Sequence, residues 1–189
     1  MSISPPAPPP TILLDADGIE AAIGRLAAAI AQRHQASWPA FIGIERRGVP
    51  LATRVADRLA AVHPDRRPPQ IGSLDISLYR DDLAALHTVP QLRGSAIDFD
   101  VDGAEVILFD DVLYTGRTIR AALDELADFG RPARVELAVL LDRGCRELPI
   151  HADYVGLAHP TSPRDYVRVR LRETDGADTA TVGHKEITR

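Results

Sequence analysis

The sequence predicts an α/β fold, a mainly parallel sheet of about five strands flanked by helices, and three features carry that expectation. The segments Ala40 to Ile44, Glu105 to Phe109 and Val135 to Leu141 are short, apolar and without alternation, as strands buried on both faces are. The first two each run into a polar turn. Beyond each turn, apolar residues recur at helical spacing, so strand, turn and helix repeat as βα units.

Taken in order, residues 1 to 10 are a proline-rich arm, and residues 11 to 189 are expected to form one domain, ordered from about Asp15. Asp17, with Glu20 three residues on, reads as a capping box, and Ile19, Ile23, Leu26 and Ile30 continue a helical stripe to about Arg33. The strand Ala40 to Ile44 leads through Glu45, Arg46, Arg47 and Gly48 into a helix from Pro50 to about Val62, with proline in its first turn. Ile71 to Tyr79 reads as a strand, and residues 80 to 102 lack a sustained period, which suits a protruding arm. After the strand Glu105 to Phe109 comes a helix from Thr118 to Phe129, stopped by Gly130 with Pro132 beyond. Val135 to Leu141 is a further buried strand. Tyr166 to Glu173 alternates Val167, Val169 and Leu171 with Arg168, Arg170 and Arg172, a half-exposed strand, and Asp175-Gly176 suits a hairpin turn to Ala180 through Val182.

Composition narrows the function. The chain has 189 residues, 45% hydrophobic and 26% charged. That is a globular composition, of a size for one core. No apolar run reaches the length of about 18 residues that a membrane span needs. The first residues lack a basic and then apolar leader pattern, so a cytoplasmic location is expected. Cys145 is the single cysteine, which excludes an internal disulfide and a cysteine metal site. No histidine stands in a metal-ligand spacing. The net charge of −5 excludes attachment to nucleic acid by bulk positive potential. Lys185 is the only lysine, so anion sites must use arginine forks or backbone amides, and a Walker-type phosphate loop is ruled out.

The segment Val106-Ile-Leu-Phe-Asp110-Asp111-Val-Leu-Tyr114-Thr115-Gly116-Arg117-Thr118 carries the chemistry. Backbone amides from Thr115 to Thr118 can converge on an anion where the helix dipole is positive, Gly116 permits close approach, and two threonine hydroxyls add donors. The preceding carboxylates repel a phosphate, so Asp110 and Asp111 suit hydroxyl groups elsewhere on the same ligand. A sugar phosphate satisfies both halves.

Two acidic residues followed by a Thr-Gly phosphate loop resemble the 5-phosphoribosyl-1-diphosphate (PRPP) motif of type I phosphoribosyltransferases. ISLYRDDL from Ile76, VILFDDVLYTGRTIRAALDEL from Val106 and LAVLLDRGCRELPIHADYVG from Leu137 are similar to the PyrR family of pyrimidine-operon regulators, over about Gly18 to Gly176. That resemblance implies a type I core with a small hood at roughly 150 to 182. It implies uracil phosphoribosyltransferase activity, PRPP, uracil and UMP or UTP as ligands, Mg²⁺ carried with PRPP, a homo-oligomer of two or more chains, and nucleotide-dependent binding to pyrimidine-operon leader RNA. By position it puts Arg46, Arg47 and Gly48 in the turn that accepts the diphosphate, with Asp110, Asp111, Tyr114, Thr115, Gly116, Arg117 and Thr118 completing the PRPP site. Arg80, with Asp110 and Asp111, falls at catalytic positions, Arg80 on a loop that closes over PRPP. Val155, Gly156, His159 and Pro160 fall where the base is held, and Arg25, Arg33 and Arg146 where RNA is contacted. The chain departs from the family at Leu157 and Ala158, at Cys145 in place of a histidine, and at Gly24 and Ala28, where relatives carry polar side chains. A salvage enzyme without RNA binding, and a nucleotide-sensing RNA binder with negligible catalysis, stand as alternatives.

Overall fold

The computed structural model describes residues 9–76 and 94–184. The expected α/β architecture is present. Five strands, β2 (Ala40–Ile44), β3 (Ile71–Leu74), β4 (Glu105–Leu113), β5 (Arg134–Asp142) and β6 (Tyr154–Ala158), form a sheet in the order β3-β2-β4-β5-β6. Every neighbouring pair in it is parallel. A smaller antiparallel sheet, in the order β1-β8-β7, joins β1 (Thr11–Leu14), β7 (Asp165–Arg170) and β8 (Thr179–His184).

Strand alternation divides the core. Phe41, Ile107, Phe109, Ala138 and Leu140 pack against α1 (Ala16–Arg33) and α2 (Gly48–Val62), while Ile42, Ile44, Leu108, Leu137 and Val139 pack against α3 (Arg117–Ala127). Helices therefore cover both faces of the main sheet. The small sheet docks on the α1/α2 side, where Leu14, Val169, Leu171 and Ala180 join the same cluster as Ile19, Ile23 and Leu26.

The differences from expectation have local causes. The first element begins at Thr11 because β1 is paired by β8, a tertiary contact that four residues after a proline run do not announce. The cap of α1 is Asp15, whose Oδ1 accepts from the Gly18 amide at 2.9 Å. Asp17 therefore lies inside the first turn, and the cap is a single side-chain acceptor. Strand β4 does not stop at Phe109. Pairing with β5 continues to Leu113 opposite Asp142, and both carboxylates of the motif belong to the strand. Helix α3 starts one residue earlier than expected and ends at Ala127. Strand β3 is described only to Leu74, followed by Asp75 and Ile76; the rest of the expected strand to Tyr79 lies outside the described residues. The segment 150–182 is divided, since β6 extends the main sheet and only β7 and β8 belong to the small one. Between those two, α4 (Arg172–Asp175) replaces the expected two-residue hairpin turn, and Gly176 closes it with φ of 76°. No helix among the described residues is long and apolar enough to cross a membrane.

Candidate active site

The carboxyl ends of the parallel strands bring Asp110 and Asp111 together with the 45–48 turn and the 114–118 loop. Register places Asp110 of β4 in one row with Val139 of β5 and Val155 of β6. Asp110 is 7% exposed, and its Oδ1 accepts from the Asp111 amide at 2.9 Å. Asp111 turns to the α2 side, where Arg47 Nη1 lies 3.8 Å from its Oδ2. Burial pushes the Asp111 carboxyl above the ordinary range, and the Arg47 charge and hydrogen bonds pull against that.

The next residues form a loop that the fold grips from outside. The Thr115 carbonyl accepts from the amides of Glu147 and Leu148 at 3.0 and 3.1 Å, and Arg117 Nε meets Glu147 Oε2 at 2.9 Å. Gly116 has φ of 94°, and a Cβ there would stand 3.3 Å from the Cβ atoms of Leu148 and Ile150. Glycine is needed on both counts. As the N-cap of α3, Gly116 has no side chain to offer the helix start, and the Arg117 amide meets Thr115 Oγ1 only at 3.3 Å. The amides of the first turn, at Thr118 and Ile119, thus face the kind of partner a helix start favours, an anion.

The turn Glu45–Gly48 approaches from the neighbouring strand. Its Glu45-Arg46 peptide is cis, and the Glu45 amide donates to Leu74 O at 2.9 Å. Gly48 is buried against β4, where a Cβ would overlap the Phe109 carbonyl oxygen. Gly43 is equally tight, since its Cβ would lie 2.6 Å from Gly48 C. These two glycines press the start of α2 onto the strand that carries the carboxylates. Arg46 is exposed. Arg47 forks onto Asp175, Nε to Oδ2 and Nη2 to Oδ1 each at 2.8 Å. Asp175 is also held by the Leu171 amide and the Thr174 hydroxyl, and the Arg47 fork keeps its carboxyl far below the ordinary range. A second fork anchors the same turn, from Arg54 to Glu173 and Asp178. Between α2, β4 and the small sheet lies a cleft of about 520 Å³, lined in part by Arg47, Asp111, Tyr166, Arg168, Arg170 and Asp175.

The residues expected to hold the base lie two strands from Asp110. Val155 and Gly156 are in β6, and His159 and Pro160 follow it, with the His159 amide bonded to Asp142 O at 2.8 Å. Arg143, which follows strand β5 and so faces the same end of the sheet, connects this region to the loop before α3. It is 5% exposed, its guanidinium lies 4.1 Å from the Tyr114 ring centroid, and it donates to Thr161 Oγ1, Ser162 O and Asp165 O.

The three arginines expected to meet RNA are not brought together. Arg25 donates twice to Gly156 O, at 2.9 and 2.7 Å. Arg33 pairs with Glu136 and Asp153 toward the opposite ends of the strands. Arg146 is bound to Asp142 and to the carbonyls of Tyr114 and Ile150. Arg80 lies outside the described residues.

A strand-end carboxylate pair, a helix start without a side-chain cap and a glycine-packed turn on the adjacent strand together define a phosphoribosyltransferase type of protein, and residues 11–174 match the family described as phosphoribosyl transferase domain. Solved structures agree on the fold: a hypoxanthine phosphoribosyltransferase of Trypanosoma cruzi matches with a TM-score of 0.67 at 19% identity, covering 93% of this chain and 97% of its own. One of Staphylococcus aureus matches with a TM-score of 0.65 at 20% identity, covering 93% and 92%. Among sequences, a protein of Roseiflexus sp. strain RS-1 named bifunctional protein PyrR is 54% identical over 165 residues, 87% of this chain and 89% of its own. One of the same name from Deinococcus radiodurans is 50% identical over 171 residues, 90% and 92% of the two chains. The chain belongs to the PyrR family.

Proposed function

We propose that the protein transfers the phosphoribosyl group of PRPP to uracil, giving UMP and diphosphate, and that it regulates pyrimidine genes by UMP-dependent binding of operon leader RNA in the cytoplasm, as an oligomer. The observation that carries the enzymatic reading is the convergence of Asp110, Asp111, the Thr115–Thr118 loop and the 45–48 turn at one end of the sheet, the carboxyl end where open α/β folds bind ligands. Membership of a family whose members are named bifunctional supports the second activity.

In this reading the amides at the start of α3 and the threonine hydroxyls hold the 5-phosphate. Asp110 and Asp111 accept from the ribose hydroxyls and so fix C1 of the sugar between the diphosphate turn and the base segment. Uracil N1 attacks C1 as the C1–O bond to diphosphate breaks, and the N1 proton passes to an oxygen of the departing diphosphate or to solvent. Positive charge develops on the sugar, against which the neighbouring carboxylates are favourably placed, and negative charge develops on the leaving group, which the 45–48 turn and Arg80 receive. Arg47 has Nε and Nη2 held by Asp175, which leaves Nη1, 3.8 Å from Asp111 Oδ2, as its donor for the diphosphate.

The residues fit magnesium as a passenger. Asp111 and Asp175 each line the cleft with a carboxylate, and both stand beside Arg47. That suits a hard ion that keeps its waters and is held mainly by phosphate oxygens. Bound there, it would screen the diphosphate charge.

A plain salvage enzyme is the second reading, favoured by the internal bonds that occupy Arg25, Arg33 and Arg146. A panel of free bases incubated with PRPP and Mg²⁺, run beside titration of a pyrimidine leader hairpin with and without UMP, tests both. Uracil is expected to be converted in preference to hypoxanthine, guanine and orotate. Turnover of a purine with none of uracil contradicts the enzymatic reading, and hairpin binding equal to that of a scrambled RNA leaves the salvage enzyme.

A further inference from the structure

Strand β7 carries an arginine pair that the candidate site does not use. Val169 is 2% exposed and tied into the α1/α2 cluster. Alternation therefore sends its neighbours Arg168 and Arg170 to the other face, where both are exposed. Their cross-strand partners on β8 are Thr181 and Thr179, neither of which can balance a charge. Among the described residues neither arginine makes an ion pair or a side-chain hydrogen bond. Arg172, two positions on, is different in kind, because it lies against Glu20, Glu173 and Asp178.

Strand β7 is an edge strand, and the cleft runs along it, so that both unpaired arginines border the cleft together with Val167 and Val169, as do Arg47, Asp111 and Asp175. Three cations and two carboxylates border it, and the carboxylates are already matched to one cation. Arg47 forks onto Asp175 and lies beside Asp111, so its charge is compensated within the protein. The positive charge left for an incoming anion is that of Arg168 and Arg170. Residues two apart on a strand stand about 7 Å apart, a spacing at which two guanidinium forks can bracket a diphosphate, whereas one fork suffices for a single phosphate.

We propose that Arg168 and Arg170 form the second wall of the diphosphate subsite, opposite the 45–48 turn, and bind the diphosphate end of PRPP on entry and the free diphosphate on exit. The inference rests on the phosphoribosyl-transfer reading for its place in the reaction, but the anion site itself does not need catalysis. It gives the enzyme a receptor for this end of the substrate while Arg47 is still held by Asp175.

The test is calorimetric titration of magnesium diphosphate into the wild-type protein, the Arg168→Ala/Arg170→Ala double variant and the Arg168→Lys/Arg170→Lys double variant. These are accompanied by steady-state constants in both directions of the reaction. Both side chains are exposed and unpaired, so all three proteins are expected to melt alike. Affinity for diphosphate is expected to fall about tenfold or more in the alanine variant, with partial recovery in the lysine variant, which keeps the charge and loses the fork. The Michaelis constant for diphosphate in the reverse reaction should rise with it, and that for uracil should not move. Equal diphosphate affinity in wild type and alanine variant overturns the proposal. Retained diphosphate affinity with lost binding of leader RNA overturns it in favour of an RNA-facing strand. Tight diphosphate binding lost in the alanine variant, in a protein that converts no base, upholds the subsite and removes the transferase reading instead.

Discussion

Replacing Gly48 by alanine adds a single methyl group where the site has no room for it. The new Cβ would overlap the Phe109 carbonyl oxygen and lie 3.0 Å from the Phe109 carbonyl carbon. Comfortable carbon contacts stand at about 3.5–4.0 Å. Neither neighbour can rotate away, since both are backbone atoms of β4, which is paired with β2 and β5. The start of α2 must retreat by roughly 1 Å, a displacement that can cost on the order of a hundredfold in rate when it misplaces a reacting group. Overpacking of this kind costs about 1–3 kcal/mol of stability. Gly48→Ala should therefore lower the denaturant midpoint and raise the Michaelis constant for PRPP strongly, with a much smaller change for uracil, whose candidate residues lie on β6 and beyond. Gly24→Ala is the control, because its Cβ would meet only Arg58 Nη2, at 3.7 Å. Alanine at such a helical position should stabilise by about 0.4–1 kcal/mol. A Gly48→Ala protein with normal stability and normal PRPP kinetics would refute the claim that this glycine presses the diphosphate turn onto the carboxylate strand.

Two further substitutions separate binding from folding. Burial raises the Asp111 carboxyl, so the ionised form at neutral pH is carried at a cost to the fold, and Asp111→Asn should melt higher than wild type at pH 7. The sign fixes the window: the difference should shrink as pH falls through the raised Asp111 value, where the wild-type carboxyl also becomes neutral, while kcat/KM drops about tenfold to a hundredfold from loss of a charged acceptor for the ribose. Arg143→Met removes the hydrogen bonds to Thr161, Ser162 and Asp165 from a site only 5% exposed. It should destabilise by about 2–4 kcal/mol and raise the Michaelis constant for uracil, with partial rescue by lysine. Unchanged melting of Arg143→Met would show that these bonds do not hold the base segment.

What is legible in the sequence is what is local. Strand β2 has the expected bounds because Ala40 to Ile44 is uniformly apolar between polar flanks, and the turn into α3 falls where Gly116 and the threonines place it. The apolar pattern of β4 ends at Phe109, yet the strand runs on, because the backbone pairing that holds Asp110 through Leu113 in register with β5 does not depend on side-chain polarity. Strands β1 and β6, of four and five residues, exist through their partners, β8 and β5, and carry no periodicity long enough to read. The partners of Arg47 and Arg25 are hidden for a related reason, since Asp175 is 128 residues from the one and Gly156 is 131 from the other. No pattern within a short window marks such a pair, and Asp175, which reads as a turn former, instead holds Nε and Nη2 of Arg47. The departures at Leu157 and Ala158 acquire a setting without changing the backbone, because both continue β6, paired with Leu141 and Asp142.

The central claim is that the strand-loop-helix unit around Gly116 binds PRPP, and the most direct measurement is calorimetric titration of PRPP with Mg²⁺ into the wild-type protein and into Gly116→Val. At this position φ is 94° and a Cβ already crowds Leu148 and Ile150. A β-branched valine is strained there, so the loop must open and its amides diverge. Wild-type protein is expected to bind PRPP saturably and to form UMP once uracil is added, with binding weakened by well over tenfold in the variant. A wild-type protein that does not bind PRPP, or a Gly116→Val protein that binds it equally well, contradicts the account.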